Sequence, residues 1–264
     1  MTVGKKQTKK QTIISRLFKE CQRRGTLTFD NEMVKTIARE IGFKNPFDAT
    51  KVDRSNLLPD DVRDADYYIL HLGKGRHRFV KGLKVGYHSF EPITDGERIP
   101  WKYRPSVLNE LDTSESNILS VASNQRLLHD FLYEDLVASP KVYNARRTKL
   151  SFSFWAGKEY IKTAHLQMEI DMTLEYQRVV TVIEGKNGFP PDFAVYQIYF
   201  PFRYYHILNQ QHDLGLERVQ ACYILRRRRG KQSTLRLYLY TFDDIDNMAS
   251  IRLLKKAEYT LLRR

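Results

Sequence analysis

The chain has 264 residues, 42% hydrophobic and 12% aromatic, which is enough apolar material for one large or two modest cores and too much for a disordered polypeptide. Lys and Arg number 44 against 31 Asp and Glu, a formal charge of +13, and that excess favours a polyanionic partner because neutralised phosphates release their counterions. No apolar run approaches ~18 residues, so no membrane span is expected, and two distant cysteines, Cys21 and Cys222, argue against a disulfide framework or zinc site and for a reducing, cytoplasmic setting.

Lys5, Lys6, Lys9 and Lys10 make the opening basic, without the apolar segment of a signal peptide. Ile13, Ile14, Leu17, Phe18 and Cys21 recur at helical spacing and predict a helix from Thr12 to Arg24, stopped by Gly25. Leu27 and Phe29 form a short extended piece. Asp30 then caps a second helix whose stripe is Met33, Val34, Ile37, Ala38 and Ile41, with Gly42 as terminator. This order resembles a winged-helix or helix-turn-helix opening.

The polar, Pro-broken segment from Asn45 to Arg54 reads either as a binding loop or as an ordinary solvated one. Asn45, Lys51 and Arg54 are its candidates for base edges, since Asn suits adenine and Lys or Arg suits guanine. Leu57 to Asp66 is acidic and predicts a short helix opened by Pro59. Two strands, Asp66 to Leu72 and His77 to Lys81, flank the turn Gly73-Lys74-Gly75-Arg76, so Lys74, Arg76, Arg78 and Lys81 can lie along a groove or on phosphates. Gly82 to Phe90 continues in strand style and Pro92 to Arg98 reads as a linker. Trp101, Tyr103 and Pro105 seal this unit onto the next, and a boundary near Arg104 separates a smaller DNA-recognition domain, residues 1–105, from residues 106–264.

Ser114-Glu115-Ser116 opens a long helix with Ile118, Leu119, Val121, Ala122, Leu128, Phe131, Leu132 and Leu136 on its buried stripe. Arg146 and Arg147, with Lys141 and Lys149, make a basic approach to a strand from Leu150 to Trp155. Beyond His165 the residues alternate, placing Gln167, Glu169 and Asp171 on one face and Met168, Ile170 and Met172 on the other. The run Val179-Val180-Thr181-Val182-Ile183 is almost wholly β-branched and reads as a buried strand. It ends in Glu184-Gly185-Lys186, which projects a carboxylate and an amine from one face two residues apart. This is the one place in the chain where an acid precedes Lys by two. A hairpin of these strands brings Asp171, Glu184 and Lys186 together, and such charges at the end of a buried strand need a partner or a metal ion. A structural ion pair is the alternative.

Ile170-Asp171 followed by Glu184-Gly185-Lys186 resembles the PD-(D/E)XK nuclease signature in its restriction-endonuclease-like branch. Ile170 stands where that pattern often has proline, and glycine is the middle residue. The resemblance implies an α/β (α+β) catalytic domain over residues 106–264, a mixed central sheet flanked by helices. It also implies a Mg²⁺-dependent type II restriction endonuclease that cuts double-stranded DNA as a homodimer in a prokaryotic cytoplasm. Asp171 and Glu184 would then be metal ligands, the Gly185 carbonyl a third, and Lys186 the group that activates water. Glu115 matches the acid that family members often carry on the preceding helix, although a carboxylate there also complements the helix dipole. Gln197, one turn into a helix expected from Phe193 after an Asp192 cap, matches a supporting glutamine of the family.

Val219 to Leu225 and Leu235 to Phe242 predict strands joined through Arg226 to Lys231, where Arg227 and Arg228 can grip backbone phosphates. Ile245 to Leu262 is expected to close the fold as a helix. Two other functions fit the same charge pattern. One is a structure-specific repair or junction-resolving nuclease; the other is a DNA-binding regulator without chemistry.

Overall fold

A computed structural model describes residues 7–104, 106–107, 114–230 and 232–263, without the side chains of Glu115, Ser116 and Arg263. Lys5, Lys6 and Lys231 lie outside the described residues.

The first helix, Lys9–Arg23, opens on a reciprocal cap in which Thr8 and Gln11 satisfy each other's backbone N–H. Its buried residues include Ile13, Ile14, Leu17, Phe18 and Cys21, the stripe read from the spacing. Asp30 accepts the Met33 N–H ahead of helix Asn31–Ile41, and Gly42 ends that helix in the left-handed conformation. Strand Thr28–Asp30 pairs with Arg76–Lys81, which pairs in turn with Tyr67–Gly73 to make a three-stranded antiparallel sheet. A short helix, Asp60–Asp64, follows Pro59 as expected.

The main sheet has seven strands in the order Arg98–Tyr103, Ile251–Arg263, Gln232–Phe242, Arg218–Arg229, Val179–Asn187, Met172–Tyr176 and Lys141–Tyr143. It draws strands from both sides of residue 105. Val179–Asn187 and Arg218–Arg229 run parallel, with helix Tyr196–His212 as their crossover, the usual way to join adjacent parallel strands. Ile251–Arg263 and Arg98–Tyr103 are the other parallel pair. The architecture is therefore mixed α+β, a central sheet flanked by helices.

Alternation along the strands decides what each face meets. Met172, Leu174, Ile183, Cys222 and Ile224 cluster with Ile118, Val121 and Leu128 of the helices Glu115–Asn124 and Leu127–Tyr133. Val180, Val182, Val219 and Tyr223 belong to a second cluster that includes Ile198, Tyr199 and Phe202 of the crossover helix and the cores of the N-terminal elements. Glu184 and Lys186 continue the even-numbered alternation and so emerge on this second face.

Four local expectations are corrected. The single helix expected from Ser114 to Leu136 is broken at Arg126, which takes a left-handed conformation between two shorter helices. Gly82 to Phe90 is one helical turn, Leu83–Gly86, followed by the strand Tyr87–Ser89. That turn packs Gly86 against the Tyr68 ring, where a Cβ would come within 2.4 Å of ring carbons. The helix expected from Phe193 begins at Tyr196, because Asp192–Ala194 pairs as a strand with Tyr87–Ser89 and Asp192 accepts the Ser55 N–H instead of capping. Finally, Ile251–Arg263 is a strand and not a closing helix. Its pairing with Gln232–Phe242 skips Leu254, and that bulge interrupts the period of two so that Leu253-Leu254 imitates a helical stripe. Among the described residues no helix is long and apolar enough to cross a membrane.

Candidate active site

Asp171 sits where the chain changes sheets. Leu166–Ile170 pairs with Arg146–Leu150 in a separate two-stranded sheet, whereas Met172–Tyr176 joins the main sheet beside Val179–Asn187. The backbone ladder between these neighbours begins at the Met172–Ile183 pair. Beyond it the Asp171 carboxylate takes the place of a backbone acceptor, receiving the Gly185 N–H at 3.1 Å. This contact ties the first acid to the middle residue of Glu184-Gly185-Lys186.

The second acid is held more closely. Glu184 is 9% exposed, and its Oε1 lies 3.2 Å from Lys186 Nζ and accepts a 3.0 Å hydrogen bond from Gln197 Nε2. Tyr223 OH donates at 3.3 Å to Gln197 Oε1, which fixes the amide so that its NH₂ faces the carboxylate. Gln197 is near the first turn of the crossover helix, and Tyr223 lies opposite Glu184 on the parallel neighbour strand. The βαβ unit thus brings the acid, the amine and their supporting amide to one spot.

Asp171, Glu184, Lys186 and Gln197 line a cleft of about 640 Å³ together with Lys51, Lys74 and Arg76 from the N-terminal elements. Behind the Lys74–Arg76 turn runs a chain of neutral polar groups. His71 Nδ1 and His77 Nδ1 are 2.8 Å apart, and His77 Nε2 is 2.8 Å from Asn31 Oδ1. The Asn31 N–H donates to the Gly75 carbonyl at 2.8 Å, which anchors the turn to the second helix. Desolvation holds His71 down to about 3, with His77 and Lys51 adding to it, and holds His77 down to about 4 against the opposing pull of Asp30. Both imidazoles are therefore uncharged at neutral pH. Tyr196, edge-on to His71 with ring centres 5.8 Å apart, is kept a neutral phenol by burial and by the nearby Asp53 and Glu184 charges.

Among the described residues no group of three His, Cys, Asp or Glu side chains gathers to hold a metal ion. The donors on offer are two carboxylates, with the Gly185 carbonyl as a backbone neighbour. That hard-oxygen set suits Mg²⁺, which keeps several waters and commonly binds through one or two carboxylates plus substrate phosphate.

The other residues singled out from sequence are dispersed. Glu115 opens its helix, and its side chain is outside the described residues. Asn45 and Arg54 are exposed and are not part of the cleft lining. Arg78 turns to Glu159, which also receives the Lys81 N–H. Arg147 pairs with Glu169 at 2.7 Å. Arg146 lies over the Tyr204 and Tyr205 rings, 4.9 and 5.4 Å from their centres. Arg227 and Arg236 both rest on Phe189, at 4.2 and 4.1 Å, while Arg228 is exposed at the far end of its strand. Arg226, expected in the connection between two strands, lies within the strand Arg218–Arg229, is buried and donates to Ser233 and Asn117. The histidine chain and Tyr196 escaped sequence reading. Their only trace there was His71 and His77 equidistant from the Lys74 turn.

Two family models match the chain: Domain of unknown function (DUF6997) over residues 83–260, and Domain of unknown function (DUF6996) over residues 11–79. The first covers well over half of the sequence, and the chain belongs to that family. The two matched regions meet at the end of the Arg76–Lys81 strand, and both contribute walls to the cleft. No curated protein and no solved structure matches the chain.

Proposed function

We propose that this protein is a Mg²⁺-dependent endonuclease of the PD-(D/E)XK type, hydrolysing phosphodiester bonds of double-stranded DNA at a specific sequence and resembling a type II restriction enzyme. The observation that carries the reading is the convergence of Asp171, Glu184 and Lys186 on one cleft, with Gln197 braced against Glu184. Supporting it is the antiparallel Met172–Tyr176/Val179–Asn187 pair followed by a helical crossover to a parallel strand, an order similar to that family's core. The N-terminal order of helix, strand, helix, helix and two strands is likewise similar to a winged helix. Here the third helix carries Asp60, Asp61 and Asp64, so the basic Lys74–Arg76 turn is the better reader of DNA.

Asp171 and Glu184 would hold the metal, which when bound supplies Lewis acidity at the phosphate and lowers the pKa of water. Lys186 orients the attacking water and offsets charge developing on the phosphate oxygens. Gln197 keeps the Glu184 carboxylate aimed into the cleft. Lys51, Lys74 and Arg76 neutralise the strand that lies across it. A homodimer follows from the reading, since one site cuts one strand and two-fold symmetry suits a palindromic target.

The 3.2 Å contact between Lys186 and Glu184 also fits a plain ion pair in a DNA-binding protein without chemistry. Incubation with circular plasmid separates the two. Mg²⁺-dependent fragments sharing one terminal sequence are expected; plasmid bound but intact at every Mg²⁺ concentration would refute the nuclease reading. Nicking confined to mismatched or branched DNA would favour a repair enzyme.

A further inference from the structure

The cleft has one feature that hydrolysis and phosphate binding leave unused. Phe47 forms part of its lining yet is 58% exposed. Leaving a large aromatic ring in water forgoes the favourable transfer of its apolar surface. An isolated exposed ring is common on protein surfaces, so its placement must carry the argument.

That placement is specific. Phe47 occupies the middle of the short 3₁₀ turn Pro46–Asp48, where proline fixes the first position and Asp48 reaches Lys10 at 3.6 Å. The turn is thus held at both ends while the ring projects. Lys35 Nζ lies 5.8 Å from the ring centre, and Lys44, Asn45 and Lys51 beside it are exposed. A ring with one lysine over its face and two more close in sequence, on a cleft that also carries Lys74 and Arg76, is poorly suited to an apolar protein surface and well suited to a nucleobase, whose π-face stacks on phenylalanine while its phosphates meet the lysines.

We propose that Phe47 is a stacking residue that holds an unstacked base of the bound DNA strand at the mouth of the cleft, next to the phosphate presented to Asp171, Glu184 and Lys186. The inference rests on the nucleic-acid reading of the cleft and deepens it. The substrate is engaged as a locally opened strand, with one nucleotide drawn out of the helix toward the lobe formed by the N-terminal elements. A concavity of about 640 Å³ falls in the size range of small-ligand sites and admits a nucleotide, not a duplex. Opening the duplex is easiest at a mismatch.

The ring supports no core packing, so substitution leaves folding intact and binding can be read directly. Affinity is measured without divalent metal, using the full-length chain and short oligonucleotides that are fully paired, centrally mismatched or single-stranded. Phe47→Leu is expected to weaken binding about 5- to 100-fold, as for loss of one base–aromatic stack, with no change in the slope of affinity against salt. Lys51→Ala, by contrast, should flatten that slope. Phe47→Trp should restore affinity, and its added emission should be quenched on DNA addition, most strongly with the mismatched duplex. If wild type binds or cuts DNA while Phe47→Leu binds equally well, or the Phe47→Trp emission does not respond, stacking is overturned and the nuclease reading stands. If wild type binds none of the three oligonucleotides, both fall together.

Discussion

The two faces of the central sheet are built from alternate residues of the same strands, yet they meet very different neighbours. On one face Met172, Leu174, Ile183, Cys222 and Ile224 pack against Ile118, Val121 and Leu128 in an apolar cluster, flanked by the buried, mutually satisfied pairs Gln220–Thr181 and Arg226–Asn117. On the other face Val180 and Val182 begin an apolar layer that gives way after two residues to Glu184, Lys186 and the Gln197 brace. Stability and chemistry are thus separated across a single strand by the pleat alone. The ionisable groups sit where the sheet face runs out into a cleft, and there they hold one another's charge instead of burying it unpaired.

This separation makes opposite predictions for neighbouring positions. The largest effect is expected at the carboxylates: Asp171→Asn and Glu184→Gln should each lower the cleavage rate by about 10²–10⁴-fold, with thermal stability and DNA affinity near wild type. Ile183→Ala, one residue from Glu184 but on the other face, should do the reverse. Truncating that buried side chain should lower stability by roughly 2–5 kcal/mol in chemical denaturation, while the rate per folded molecule stays unchanged. A large loss of folded-state activity in Ile183→Ala would break the comparison.

The histidine chain provides an intermediate effect. His71 and His77 are held near 3 and 4 in the folded protein, below their ordinary 6.5. Between those values and 6.5 the unfolded chain binds more protons than the folded one, so stability should fall as pH drops from 7 toward 4. The expected slope is on the order of 1.4 kcal/mol per pH unit for each imidazole. His77→Gln should flatten the profile between pH 7 and 5, and an unaltered profile would remove the pair from the acid response. The smallest effect belongs to the turn this chain anchors. Arg76→Ala should weaken DNA binding modestly and reduce the salt slope by about 1, with an unchanged slope excluding Arg76 from phosphate contact.

Much of this was legible in the chain itself because the signals were local. The β-branched run Val179 to Ile183, the acid and amine two residues beyond it, and the Asp30 and Gly42 caps each depend on a few neighbouring residues. What escaped reading depends on partners distant in sequence. Leu253-Leu254 looks helical until pairing with Gln232–Phe242 places a bulge at Leu254. Asp192 looks like a helix cap until Ser55 occupies it. Arg226 looks like the start of a turn until Asn117 and Ser233 satisfy its guanidinium within the strand. The Asp171 switch between sheets looks like one continuous alternating strand, since nothing in the local pattern marks where a strand changes partners.

Lys186 offers the most direct test, because it is the residue whose role differs most between catalysis and bracing. Single-turnover cleavage of bound plasmid DNA is compared for wild type and Lys186→Ala at equal DNA occupancy and saturating Mg²⁺. Rapid cutting by the wild type, with the variant slower by about 10²-fold or more at undiminished binding, is the result expected of a group acting on the attacking water. Equal cutting rates would contradict that role and return the amine to the part of a structural partner for Glu184.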